Sequence, residues 1–416
     1  MNSLLRPRRP KVSDVFTPRR TEVNSDIYVD RPQLEKELRR SLEGSLHTII
    51  YGESGSGKTW LYKKVLADLN AYISTANCAN ALRFGSLTKE IQDVAGVAQP
   101  RQLTSQGEEM SANVNAAVAN GGLKSMNQFE IHKADPLRQC LATVRESAGQ
   151  RLGVLVIDNL EFIFQSKELM NELASIIAVL DDSRYSVFNI KFLLVGVPSE
   201  IKDYFLQNHS SVANRLHEIT EVEGLTIQQV GKLVEKGFQD LLKVRFDDRI
   251  LDSWKSHVPR ATMGFAQHVQ EYCEQLGYLA EDNHWVALAE MLQQADSMWL
   301  KGSLSNASGT IERIMNERKA TRGRRNQVLF VLGRLEKKQF HINEIETLLR
   351  KEFPNSTKDV QLAVGKILSE LASGSNAIIK RSPKGGTYQF RDARFAMASR
   401  VLLKKDTQKE QVYLES

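Results

Sequence analysis

The sequence predicts an α/β protein: a parallel sheet covered by helices, then an all-helical segment, then a small module of helices ending in a hairpin. Three observations carry that reading. Residues 152–157 and 190–195 are continuous apolar runs of strand length separated by helical periodicity, the pattern of parallel strands buried on both faces. A glycine-rich loop, Gly52-Glu53-Ser54-Gly55-Ser56-Gly57-Lys58-Thr59, lies between the β-rich run 46–51 and an apolar-periodic stretch that begins near Trp60. From residue 226 to about 300 the periodicity is helical throughout.

The elements follow in order. Residues 1–20, rich in arginine and proline, are expected to form a basic extended arm. A helix is expected over 32–42, a strand over 46–51, a helix over 58–70 and a strand over 71–76. The stretch 99–131 begins with a Gln/Ser/Asn/Ala/Gly-rich run and reads as an insertion or surface loop. Asp135-Pro136 opens a helix over 136–147, with proline in the first turn. The divisions expected are an α/β core over 21–225, a helical lid over 226–302 and a linker over 303–309. A winged helix over 310–405 and a tail over 406–416 complete them. Inside 310–405 the expected order is helix (310–336), helix (342–352), helix (357–373), then strands 377–380 and 387–390.

With 416 residues, more than one domain is expected. Hydrophobic residues at 41% and charged residues at 25% place the chain among soluble globular proteins. No apolar run reaches bilayer length, and the first residues lack the apolar core of a signal peptide. Three scattered cysteines, Cys78, Cys140 and Cys273, make neither a disulfide framework nor a zinc cluster, so a reducing, cytoplasmic compartment is expected. Net charge is +6, unevenly spread: residues 310–405 carry +12, residues 21–309 carry −9. That contrast points to a polyanion as partner of the C-terminal module, against the plainer reading of a solvated basic surface.

The glycine loop carries the chemistry. Glycines let a loop fold back so that successive amide N–H groups face phosphate oxygens, and the helix that follows adds its positive end. Lys58 is placed to reach the terminal phosphates, and the Thr59 hydroxyl to ligate magnesium. Residues Gly52 to Trp60 are therefore the candidate nucleotide-binding segment, with ATP and Mg2+ as the cofactors. Asp158 closes the run 152–157, where a carboxylate at the end of a central strand can hold the magnesium. The position after it, often a glutamate that orients water, is Asn159 here, which leaves Glu161 as the candidate catalytic carboxylate or a solvated helix-start acid.

These motifs resemble those of bacterial AAA+/STAND-type ATPases of the clade near the origin-recognition initiators. Phe16-Thr17-Pro18 and the stretch Ile27-Tyr28-Val29-Asp30-Arg31 are similar to the segment that flanks adenine in that family, which implies Tyr28, Val29 and Arg31 for the base pocket. The resemblance also implies a first sensor near Ser199 and an arginine finger at Arg215, acting on a neighbouring copy. At the second sensor the family's arginine is replaced by Gln267, with Arg260 near in sequence.

In the C-terminal module Lys358, Gln361 and Lys366 fall on the expected recognition helix, and Lys380, Arg381 and Lys384 on the wing. Their amino groups suit phosphates of duplex DNA. The function these readings imply is a slow, assembly-stimulated ATPase: a self-associating switch acting on DNA, of initiator, transposition-regulator or phage-defence type. The alternative is a STAND signalling ATPase whose lid and winged helix bind a partner or effector protein, and the stretch after the wing, 391–397, is amphipathic enough to dock.

Overall fold

The computed structural model describes residues 9–97, 135–196, 201–315, 323–382 and 385–414. The chain divides into two compact units. One comprises residues 32–53 and 61–222; the other comprises 1–31, 54–60 and 223–416.

The first unit is a five-stranded parallel sheet of β1 (His47–Tyr51), β2 (Tyr72–Asn77), β3 (Gly153–Asp158), β4 (Ile190–Gly196) and β5 (Leu216–Glu218), in the order β2-β3-β4-β1-β5. The apolar runs are continuous because each strand feeds two cores. Ile49, Leu155, Ile157, Phe192 and Leu194 pack on one face beneath helices Pro136–Ala148 and Lys167–Val179. Ile50, Val154, Val156, Leu193 and Val195 pack on the other, against Leu38 and Leu42 of helix Pro32–Glu43 and Val65 and Leu66 of helix Lys58–Asp68. Side chains alternate along a strand, so burial on both sides leaves no polar positions in its middle. Asp135 caps Pro136–Ala148 by accepting from the amides of Leu137 and Arg138. The stretch 99–131 lies outside the described residues.

The second unit begins with a correction. Residues 12–17 are no extended arm: Val12–Val15 is a short helix, and Val12, Val15, Phe16 and Ile27 are buried among the lid helices. Their apolar spacing outweighs the surrounding arginines. The lid comprises Ile227–Glu235, Asp248–Thr262, Ala266–Asp282, Met291–Lys301 and Ser305–Ile314, packed around Phe238, Trp254, Tyr272 and Trp299. The expected linker 303–309 is largely the start of that last helix. Its Ser/Asn/Gly composition reads as loop, but Leu304, Ala307 and Ile311 repeat at helical spacing and are buried.

The C-terminal module holds helices Arg324–Gly333, Ile342–Glu352, Val364–Leu371 and Ala393–Leu402, with a small sheet β6-β8-β7 of β6 (Gln339–His341), β7 (Ile379–Arg381) and β8 (Thr387–Phe390). The expected helix 357–373 starts only at Val364. Asp359 and Ala363 have φ of 51° and 52°, and the backbone before them is held by side chains. Arg350 donates to the carbonyls of Thr357 and Val360, and Glu410 accepts from the amides of Asn355 and Ser356. The expected tail instead forms a hairpin of β9 (Leu403–Asp406) and β10 (Gln411–Leu414). Among the described residues no helix is long and apolar enough to cross a membrane.

Candidate functional site

The glycine loop leaves β1 and enters helix Lys58–Asp68. Gly55 and Gly57 have φ of 79° and 94°, the left-handed region that a side chain disfavours. The loop's own packing makes the same demand: a Cβ on Gly57 would lie 3.1 Å from Arg31 Nη2 and 3.3 Å from Ala266 Cβ. Arg31 is buried and donates from Nη2 to the Ser56 carbonyl at 2.7 Å and from Nη1 to the Glu223 carbonyl. The Gln267 amide donates to the Gly55 carbonyl at 3.0 Å, and the Trp60 indole to the Arg20 carbonyl at 2.8 Å. Loop carbonyls are thus drawn onto donors of the N-terminal segment and the lid. The Ser56 hydroxyl is buried with no hydrogen-bond partner, an orphan polar atom of the kind a ligand at this loop can satisfy. These features fit a phosphate-binding loop.

In the sheet unit, Asp158 ends β3. Its Oδ2 accepts from the Tyr62 hydroxyl at 3.1 Å and its Oδ1 from the Asn159 amide at 2.8 Å. Asn159 adopts φ 61° and turns the chain out of the strand, while its side chain donates to Asn77 Oδ1. Glu161 follows, exposed, in a single turn of 3-10 helix. Two neighbours escaped the sequence reading. Asn77 pairs in register with Asp158 at the end of β2, and the buried Glu90 accepts from the Asn77 amide at 2.9 Å. Burial, and then the charges of Asp158, Glu161 and Glu90, push the thiol of the buried Cys78 far up. No spacing rule announces Glu90, since a lone glutamate on a helix ordinarily faces water.

Among the base-pocket candidates, Val29 packs against the lid core, Tyr28 is half-buried, and Arg31 grips the loop backbone as described. Arg215 immediately precedes β5, at the strand ends opposite to Asp158. Its Nε pairs with Asp181 at 2.5 Å and its Nη1 donates to the Ser211 carbonyl. Gln267 does reach the glycine loop, whereas the Arg260 carbonyl accepts from Arg400. Lys358 lies in the turns before helix Val364–Leu371, Lys366 on that helix, and Lys380 and Arg381 on β7, all exposed. Ser199 and Lys384 lie outside the described residues.

A parallel sheet with a glycine loop after one strand and an acid at the end of another is the framework of a nucleotide-hydrolysing fold. Residues 40–205 match the AAA domain family. The matched stretch contains the loop, β1 to β4 and Asp158. Comparison with curated proteins returned no match. Among solved structures, a Walker-type ATPase of Pyrococcus abyssi is similar at a TM-score of 0.51 and 16% identity, over 93% of this chain and 99% of that one. The ORC2 protein of Aeropyrum pernix, in a structure titled as ADPNP-ADP complexes, is similar at a TM-score of 0.51 and 14% identity, over 93% and 98%. The fold is that of the P-loop ATPases.

Proposed function

We propose that this chain binds ATP with magnesium and works as a nucleotide-dependent, self-associating switch that hydrolyses ATP slowly and contacts duplex DNA through a winged-helix C-terminal module. The observation that carries the reading is the glycine loop itself, with two left-handed glycines, Lys58 and Thr59 at a helix start, inside the AAA match. Residues 54–59 supply backbone N–H groups to the phosphates, and Lys58 supplies a cation for the terminal ones. Thr59 and Asp158 are the residues that would each offer an oxygen to the magnesium. Bound there, the metal offsets phosphate charge. Tyr62 and the Asn159 amide hold the Asp158 carboxylate in place. Asn159 in the water-orienting position and Gln267 in place of a sensor arginine both favour slow turnover. The candidate finger Arg215 is engaged by Asp181 within its own chain, so action on a second copy requires that pair to open.

The test is calorimetry with MgATP. Lys58→Ala should weaken binding by about 2–4 kcal/mol, roughly thirty- to a thousandfold, because it removes the cation aimed at the terminal phosphates. Unchanged affinity would falsify the site assignment.

One observation favours the second reading, a signalling ATPase whose C-terminal module engages protein. Helix Ala393–Leu402 is largely buried, and Arg400 donates to the carbonyls of Gly333 and Leu335 and, at 3.0 Å, to that of Arg260 in the lid. The module is thereby clasped to the lid by one guanidinium.

A further inference from the structure

Lys191, in β4, has 7% of its surface exposed. An ammonium this deep is costly unless it is paired, and burial pushes its pKa down. Its Nζ donates to the carbonyls of Gly44 and Leu46, each at 2.6 Å. Carbonyls offer partial charge only. Among the described residues the third proton meets no acceptor, and the charge forms no ion pair with a carboxylate.

Two further donors are tied to it by direct contacts. The amide of Phe192, next in β4, donates to His47 Nδ1 at 3.2 Å, which leaves the hydrogen of the neutral ring on Nε2. That Nε2 meets no acceptor among the described residues. The His47 amide in turn donates to the Arg215 carbonyl at 2.9 Å, at the start of β5. Arg215 engages Asp181 through Nε and the Ser211 carbonyl through Nη1, and Nη2 is left over. Two cavities adjoin along these side chains, sharing Ser45, His47 and Asp181. One, of about 470 Å³, is lined by Lys191; the other, of about 380 Å³, by Arg215 and Asn214. The acids on their walls are Glu43, which is exposed, and Asp181, which Arg215 already pairs. Both cavities lie at the starts of β1, β4 and β5, the edge of the sheet opposite to Asp158.

We infer that the junction of these cavities is a phosphate site separate from the glycine loop, where Lys191, His47 Nε2–H and Arg215 Nη2 hold one free phosphate group beside the Ser45 hydroxyl. Three donors from three neighbouring strand starts meet there, and two of them are cations, which suits a multiply charged oxyanion. An anion in this place gives Lys191 the counter-charge that the protein itself withholds. His47 contributes as a neutral donor, its tautomer fixed by the Phe192 amide, so its bond does not depend on the ring taking up a proton. The site stands apart from the nucleotide reading and holds whether or not the loop binds ATP.

The test follows the histidine ring nitrogens of the full chain by NMR as inorganic phosphate is added without nucleotide, the His47 signals being those lost in His47→Gln. In the wild type the His47 Nε2 resonance should shift and saturate. Lys191→Met and Arg215→Gln should each weaken that saturation by at least about tenfold, the loss of one charge-assisted bond. Unaltered resonances of the other histidines show that a variant has kept its fold. Arg215, only partly buried, keeps the test available should Lys191→Met not fold. A wild type whose His47 ignores phosphate, or a folded Arg215→Gln that binds it undiminished, overturns the site. So does a response that vanishes in Lys58→Ala, which would be relayed from the glycine loop. A response seen only with MgATP and growing with protein concentration would put a neighbouring copy's nucleotide there and equally overturn a site for a free anion.

Discussion

His47 opens β1 with its ring turned into the sheet, where Nδ1 accepts from the Phe192 amide at 3.2 Å. That bond requires the neutral ring. Burial first, then Lys191 and Arg215, lower its pKa to about 4, partly opposed by Asp181. In the unfolded chain the ring titrates near about 6.5. Between those values the unfolded chain takes up a proton that the folded chain refuses. His47 therefore adds a stability loss as pH falls from about 6.5 to about 4, flat below, of up to about 3 kcal/mol. Urea unfolding at pH 7.5 and pH 4.5 should show a larger drop for the wild type than for His47→Gln, and parallel curves would refute the assignment. Residues such as His47, Glu90 and Glu271 could not be read from the sequence, because burial of a polar side chain is settled by what packs on it from afar. The glycine turn and the strand that Asp158 closes were legible because each is a run of adjacent residues.

Elements were legible where periodicity and composition agree. The apolar runs became β3 and β4, and Asp135-Pro136 opens its helix as expected. They were misread where side chains from distant segments bind the backbone. A helix is expected from residue 357, yet 355–360 is Asn-Ser-Thr-Lys-Asp-Val, rich in turn formers, and Arg350 and Glu410 occupy its peptide groups. Glu410, 6% exposed with φ 50°, accepts from the Asn355 amide at 3.0 Å and the Ser356 amide at 2.7 Å, and its carbonyl takes Gln327. Burial raises this acid, but the bonds from Asn355 and Ser356 outweigh it and hold it below the usual carboxylate range. Glu410→Ala leaves two amides without acceptors, a cost of about 2–4 kcal/mol. Amide exchange at Asn355 and Ser356 should accelerate at least about tenfold. Unchanged exchange would show that the β9–β10 hairpin does not hold this turn.

Across the whole molecule charge separates by position: +12 over residues 310–405 against −9 over 21–309. Lys358, Lys366, Lys380 and Arg381 are exposed in the C-terminal module. A cationic surface that neutralises phosphates releases condensed counterions, so its affinity for duplex DNA falls with salt in proportion to the phosphates contacted. If about four to six phosphates are neutralised, the log–log slope for the full chain is about −4 to −5. Replacing Lys380, Arg381 and Lys384 together should reduce the slope's magnitude by up to about three, with a similar loss on every sequence, since backbone contacts carry no base information. Sequence preference should respond instead to Lys366, on helix Val364–Leu371, because base edges are read by an element in the major groove. Fluorescence anisotropy across a salt series, with and without MgATP, measures both. Absence of binding at low salt in either state would leave the +12 as a solvated face and favour the signalling reading. Arg400, clasping helix Ala393–Leu402 to the lid, would then mark the surface a protein partner has to open.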